Sequence, residues 1–363
     1  MRTQHQFTEE ERGILARMAL ADMERDVEFA PMLYIPGGEG GETRLRLSDA
    51  SIDVGQLHID YTLTNVSVAY MNEAFIAESV APVVPVNLKS NKYWVYGKER
   101  FRRKVTSREP GSSPRETGWS LSTDSYFCQG HSLRGWYPWE GPSAADGAID
   151  LDIDTTENTT EQVLLAQEMD LVDTLSGGLT NVDLSNDSGN FQFDNPDVDP
   201  IAYLDKKKET IQKAIGKKPN AIAIGQPAFR GLRNNKNVIY RVFGTTAPTN
   251  PLITPQMMAE KLDVAEVLVG EAMYDTVNEG QTSSLDYIWG QVMCLFYKEP
   301  QPGRRKVSLA YHFLWNVGNA GRIVEKWYDQ DRKRWVIDVN KYRDQKIVAS
   351  GAGLWFTKAL ANS

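Results

Sequence analysis

The chain has 363 residues, 41% of them hydrophobic and 24% charged, with a formal net charge of −8. This is ordinary composition for a soluble globular protein long enough to hold two or three domains. No apolar run approaches the length of about 18 residues needed to cross a bilayer, and the opening MRTQHQFTEEERG lacks the apolar centre of a secretion signal, so the sequence reads as that of a protein made and kept in a cytosol.

The charge is segregated. Glu140 to Asp199 holds 15 Asp and Glu and no Lys or Arg, whereas Lys89 to Arg108 carries eight basic residues against Glu99 alone. Two separate solvated faces would explain this, and so would two surfaces that meet.

Residues 1–60 read as an N-terminal arm. Thr8 followed by Glu11 has capping-box spacing, and Glu9 to Asp26 reads as one amphipathic helix with Ile14, Leu15, Met18 and Ala21 to one side. Pro31, Pro36 and the run Gly37 to Gly41 then break regular structure, and that run has no Lys-Ser/Thr of a phosphate loop. Residues 61–87 become apolar, with a short helix around Asn72 to Ser79. Two alternating segments, Lys92 to Phe101 and Ser122 to Trp136, read as strands of a long hairpin spanning 88–140. The stretch between them, rich in Arg, Gly, Pro and Ser, makes a basic tip.

Residues 141–198 are dominated by one long helix within Asp150 to Gly178. Asp154, Thr155 and Thr156 offer capping oxygens, Glu157 and Glu161 suit the positive helix end, and Gly177 is the expected left-handed stop. Leu165, Met169 and Val172 form an apolar stripe widened by Leu164, Leu171 and Leu175. That leaves Glu157, Glu161, Glu168, Asp170 and Asp173 to a wet face. In the acidic loop after it, Asp183, Ser185, Asp187 and Asp194 approach calcium-loop spacing, but Ser188 stands where the turn needs Gly, so a solvated loop is the better reading.

Residues 199–320 alternate helices with short apolar strands: helix Ile201 to Ile215 ending at Gly216, strand Ala221 to Ile224, a helical stretch Ala228 to Asn235, helix Pro255 to Leu262, and strands Glu266 to Val269 and Tyr287 to Tyr297. This is an α/β unit. Residues 321–363 supply Arg322 to Tyr328, Trp335 to Tyr342 and Lys346 to Phe356, strands of an antiparallel sheet suited to receive the long helix.

No catalytic constellation stands out. His5, His58, His131 and His312 are scattered, Cys128 and His131 alone cannot make a zinc site, and the nucleophile-elbow, dinucleotide and zinc-protease motifs are missing. Cys128 and Cys294 read as buried thiols. The basic hairpin, with Tyr93, Trp94, Tyr96 and Trp119 interleaved, is a weak nucleic-acid candidate in an acidic protein. The sequence implies no cofactor and no metal.

The order of elements carries a resemblance. TNVSVAYMNEAFIAESVAPVVPVNLKSNKYWVYGKERF (Thr64 to Phe101) and REPGSSPRETGWSLSTDSYFCQGHSLRG (Arg108 to Gly135) resemble the extended hairpin loop of the tailed-bacteriophage major capsid protein family. PNAIAIGQPAFRGLRNNKNV, ITPQMMAEKLDVAEVLVGEAMYDT and YIWGQVMCLFY are similar to its axial domain, and AGLWFTKAL to its closing strand. The resemblance covers about Tyr61 to the end. It implies an α+β fold of the Hong Kong ninety-seven type: an arm, an extended hairpin, a peripheral domain with a spine helix on an antiparallel sheet, and an α/β axial domain.

It also implies a structural protein, not an enzyme. Such a protein self-assembles into pentamers and hexamers of an icosahedral shell around double-stranded DNA, is located in the virion after assembly in the host cytoplasm, and has portal, scaffold or decoration proteins as further partners and no membrane. Arg100, Arg102, Arg103, Lys104, Arg108, Arg115 and Trp119 would then meet Glu157, Glu161, Glu168, Asp170 and Asp173 of an adjacent subunit. An encapsulin-like compartment shell, or an α/β enzyme with its site in 200–320, are the alternatives.

Overall fold

The computed structural model describes residues 74–96, 101–103, 106–111, 113, 116, 118, 121–141, 150–187, 190–244, 251–278, 281–303, 306–316 and 321–361, all within His58–Ser363. The arm and the helix expected over Glu9 to Asp26 lie outside them, as do Arg100, Lys104, Arg115 and Trp119.

The first described elements are α1 (Ala77–Val80), shorter than expected, and β1 (Val83–Val86). The hairpin strands β2 (Ser90–Tyr96) and β3 (Leu121–Phe127) pair antiparallel over seven residues. The expected return strand to Trp136 is in fact two. Cys128, buried and donating its thiol to the Phe313 carbonyl, ends β3, and β4 (Gln129–Pro138) joins another sheet.

The long helix α2 (Leu151–Gly178) has 28 residues, about 42 Å at 1.5 Å per residue. It starts earlier than the sequence suggested, because the Asp150 carboxylate accepts the N–H groups of Asp152 and Ile153. Thr156 and Thr159 sit inside the helix and donate their hydroxyls to the carbonyls four residues back. Gly177 is no left-handed stop. The helix runs on to Gly178, and Leu179 turns extended to lead into β5 (Thr180–Asp183).

Next come α3 (Pro200–Ile215), capped by Asp199 and ended by Gly216 in the left-handed region, β6 (Ala221–Gly225), α4 (Gln226–Asn234), α5 (Lys236–Phe243), α6 (Pro255–Lys261) and β7 (Glu266–Gly270). The apolar run Tyr287 to Tyr297 is broken by a turn at Gly290, φ +43°, where the Val292 N–H bonds the Trp289 carbonyl. Its two parts go separate ways. β9 (Leu285–Tyr287) pairs with β8 (Met273–Asp275) in a small ribbon, and β10 (Met293–Phe296) enters the core. β11 (Ala310–Trp315), β12 (Arg322–Asp329), the 14-residue β13 (Arg334–Ile347) and β14 (Gly353–Thr357) complete the chain.

Two five-stranded sheets organise these elements. In the first, β13 is central. Arg343 pairs with both Gln129 of β4 and Leu314 of β11, and Arg334 with both Pro138 of β4 and Asp329 of β12, so β4 lies along one side and β12 and β11 follow each other along the other. β1 adds to β11 in parallel. The second sheet has the order β5-β14-β10-β6-β7. Gly353–Thr357 therefore belongs to the sheet built mainly from residues 199–320, not to the closing antiparallel sheet in which the sequence placed it, and Thr180–Asp183, whose residues from Asn181 on read as an acidic loop, joins the same sheet. Both are apolar or short strands whose partners lie far off in the chain, which periodicity cannot reveal.

The second sheet is buried on both faces. Ile222, Ile224, Met293, Leu295, Leu354 and Phe356 face the core under α3 to α6, while Ala221, Ala223, Cys294, Phe296 and Trp355 face a cluster containing Leu171 and Leu175 of α2, Ala77 and Val80 of α1, and Trp289. Val163 of α2 instead packs with Tyr137, Val324, Ile337 and Val339 of the first sheet. One helix thus contributes to both cores, and burying a Leu such as Leu171 or Leu175 contributes about 1.5–3 kcal/mol.

α2 approaches β4 closely at Gly135. A Cβ there would lie 2.5 Å from both the Thr155 methyl and the Thr159 hydroxyl. Gly135→Ala is expected to push the helix off the strand and lower stability by about 1–3 kcal/mol, measurable as a fall in the urea midpoint of the subunit.

Candidate subunit interface

The line of α2 that is buried is not the one its apolar residues suggested. Thr156, Thr160, Val163, Leu164, Gln167, Glu168, Leu171 and Leu175 are buried, whereas Leu165, Met169 and Val172 are only half-buried. Polar residues turn inward because the surfaces beneath them supply partners.

Glu168 is the main correction. It lies fully inside the subunit and not on a wet face: Oε2 accepts the Ala77 N–H at 2.8 Å, and Oε1 accepts the Ile76 N–H at 3.2 Å and the Trp289 indole N–H at 2.6 Å. Burial pushes its carboxyl up and the three hydrogen bonds pull back, leaving the pKa raised. It cannot reach a neighbouring subunit.

Asp170 is exposed but bonds Arg343 of β13 at 2.5 Å, and Asp152 bonds Lys326 of β12 at 2.7 Å and the Tyr137 hydroxyl at 2.6 Å. Beside them Lys341 of β13, 2% exposed, donates to Glu78 at 2.8 Å and to Gln167 at 2.6 Å. Burial works against ionisation of Glu78, but the Lys341 ammonium and its hydrogen bond outweigh it and hold the carboxyl down to about 2. Burial likewise pulls Lys341 down to about 8, against the opposing pull of Glu78. Part of the acidity counted in the sequence is therefore used within the subunit.

Glu157 is half-buried, and Glu161 and Asp173 are exposed. Four residues apart, Glu157 and Glu161 share a flank with Asp154; Asp170, nine residues beyond Glu161, points to the opposite flank with Asp173. The expected acidic strip is thus two strips. Of the hairpin residues described, Arg102, Arg103 and Arg108 are all exposed.

A second basic region escaped the sequence reading, although it is visible as composition. Pro200 to Leu262 holds 11 Lys and Arg against Asp205, Glu209 and Glu260. Two of its cations reach back to the acidic stretch, Lys207 to Asp187 at 2.5 Å and Arg241 to Asp199. Asp183, taken above as part of a loop near calcium spacing, bonds Lys358, Ser185 and Asn186.

Among the described residues no three His, Cys, Asp or Glu converge as metal ligands. Cys128 and Cys294 are buried free thiols, both pushed up by burial, Cys128 to about 11. One cleft of about 390 Å³ lies along Asp194, Arg230, Asn234 and Lys236, and another of about 340 Å³ along Ser125, His131, Asp170, Arg343 and Lys346; among the described residues, no hydroxyl in either cleft is hydrogen-bonded to a histidine.

No family model matches the chain. The major capsid protein of Burkholderia phage BcepMu is 27% identical to it over 252 residues, 68% of this chain and 78% of that protein. The major capsid protein of Pseudomonas phage JBD67 is 25% identical over 245 residues, 66% of this chain and 77% of that protein. This chain is a homologue of phage major capsid proteins.

The fold agrees. A phage-related protein from Bordetella bronchiseptica superimposes with a TM-score of 0.64 at 24% identity, covering 85% of this chain and 99% of its own. The capsid protein of cyanophage P-SCSP1u does so with 0.54 at 10% identity, covering 80% and 89%. The α+β architecture is that of phage capsid proteins, and the homology points to a structural role.

The two kinds of acid on α2 separate experimentally. Glu168→Ala strands two backbone N–H groups and an indole N–H and is expected to cost about 3 kcal/mol or more. Asp173→Asn, at an exposed position of the same helix, should change the subunit's own stability by no more than about 0.5 kcal/mol, both read by urea unfolding.

Proposed function

We propose that this chain is the major head protein of a tailed phage, copies of which assemble as pentamers and hexamers into an icosahedral shell around double-stranded DNA. The observation that carries this is the homology to phage major capsid proteins together with a capsid fold spanning most of the chain. The shell is the protein's location in the virion, reached by assembly in the host cytoplasm. Its main partner is itself. Portal, scaffold or decoration proteins follow from the role, and contact with DNA is without sequence preference.

At residue level, the basic tip Arg100 to Arg115 lies on the α2 flank of an adjacent subunit that carries Asp154, Glu157 and Glu161. Arg102, Arg103 and Arg108 are exposed, as are Asp154 and Glu161, and Glu157 is half-buried, whereas Glu168 lies inside the subunit. Exposed ion pairs contribute about 0–1 kcal/mol each and are screened by salt. They set register and association rate more than final stability, which suits subunits that must correct errors while assembling.

Reversing Arg102, Arg103 and Lys104 to Glu is expected to abolish or slow shell formation, seen by size-exclusion chromatography and negative-stain microscopy, while circular dichroism of the subunit stays unchanged. Shells of normal size and yield from that variant exclude the contact. A wild-type chain that stays monomeric at about 41 kDa under all assembly conditions excludes the shell function itself.

A further inference from the structure

The layer between α2 and the first sheet has apolar ends and a charged middle. Val163 packs with Ile337 and Val339 at one end, and Leu171 and Leu175 join the second sheet's cluster at the other. Between them Lys341 and Arg343, each 2% exposed, rise from β13 to meet Glu78, Gln167 and Asp170. Gln345 of β13 donates to the Gln167 carbonyl on the same face.

His312 of β11 stands directly across from Gln345 and so shares that face. It is fully buried, and neither ring nitrogen has a hydrogen-bond partner among the described residues. A buried polar group without partners is costly and uncommon. The groups facing it come from every element around it: Lys341 and Arg343 from β13, Glu78 from α1 and His131 from β4, with Arg322 of β12 acting on Lys341 and Glu78 and Asp170 of α2 on Arg343. Burial first, then Lys341, Arg343 and His131, disfavour an imidazolium; Glu78 alone favours it, and the result lies well below the ordinary value of 6.5.

We propose that His312 makes the centre of this layer an acid-sensitive latch: a proton on its imidazole adds a positive charge beside Lys341 and Arg343 and releases α1 and the middle of α2 from the sheet. The apolar ends of the layer do not titrate and stay packed, so the release begins locally. The sign follows from linkage. The unfolded imidazole takes up a proton near pH 6.5 and the folded one only well below it, so the unfolded state binds more protons in that interval and stability falls as pH drops below about 6.5. Glu78 acts in a separate, lower window, from its ordinary 4.5 down to about 2, where its protonation removes the counter-charge of Lys341. The latch belongs to the subunit and does not depend on the shell reading.

The test compares urea unfolding of the unassembled whole chain at pH 7 and pH 5, above the Glu78 window. A histidine that ionises only when unfolded raises the unfolding constant roughly twentyfold between these pH values. His312→Phe is expected to lose that factor, whereas His131→Gln, whose own imidazole burial also holds below its ordinary value, is expected to lose less of the pH response than His312→Phe. If the phenylalanine variant does not fold, His312→Gln, which cannot ionise either, is read in the same way. Independently of any variant, hydrogen exchange of the wild type, corrected for intrinsic rates, should show residues 77–80 and 163–171 opening at pH 5 ahead of strands β6 and β10. An unchanged pH response in a folded His312 variant, or equal protection of those segments at both pH values, overturns the proposal.

Discussion

The subunit depends on one buried carboxylate. Glu168 lies on the face of α2 that crosses from one sheet to the other, and it accepts hydrogen bonds from the backbone at the start of α1 and from Trp289 beside the second sheet. A buried carboxylate without donors is untenable, and three donors without an acceptor are nearly as costly. Their mutual satisfaction fixes the position of α2 along its axis, the entry of the chain into β1 and the turn before β10. Hydrophobic packing holds the helix to both sheets, but apolar contacts are non-directional and would tolerate sliding. The carboxylate sets the register.

The charged layer beside Glu168 shows how this helix differs from an amphipathic helix on a greasy sheet. Lys341, Arg343 and Gln167 occupy places where leucines would be ordinary, and their partners Glu78 and Asp170 are half-exposed at the edges. A buried ion pair contributes little net stability, because desolvation offsets most of the Coulomb attraction, yet removing one partner is severe. Such a layer specifies one arrangement more than it strengthens it. A subunit that repeats many times in a shell needs that definition, since a small error of helix placement recurs in every copy.

Much of the fold was legible because it is local. The cap at Asp199 and stop at Gly216, the fully apolar Ala221–Gly225, and the polar turn between β12 and β13 each follow from a few neighbouring residues. The breaks were harder. Tyr287 to Tyr297 and Lys346 to Phe356 look like single apolar strands, and each divides because its halves pair with different partners. The candidate interface was half legible: exposed Arg102, Arg103 and Arg108 read correctly as surface, while Glu168 did not, since a glutamate at the edge of an apolar stripe gives no sign that two amides and an indole await it.

The sequence by itself determined where most elements form, the uninterrupted apolar runs of the second sheet's central strands, the segregation of acidic and basic stretches, and, through the joint order of segments, the capsid family it resembles. These are properties of neighbouring residues or of simple order along the chain. Only the tertiary structure decided which acids stay at the surface, that Thr180–Asp183 and Gly353–Thr357 enter the second sheet, and that His312 and Lys341 are buried together. The physical reason is the same in each case. Burial and pairing are set by partners far away in the chain, such as Ile76 for Glu168 and Glu78 for Lys341, and no local pattern records them.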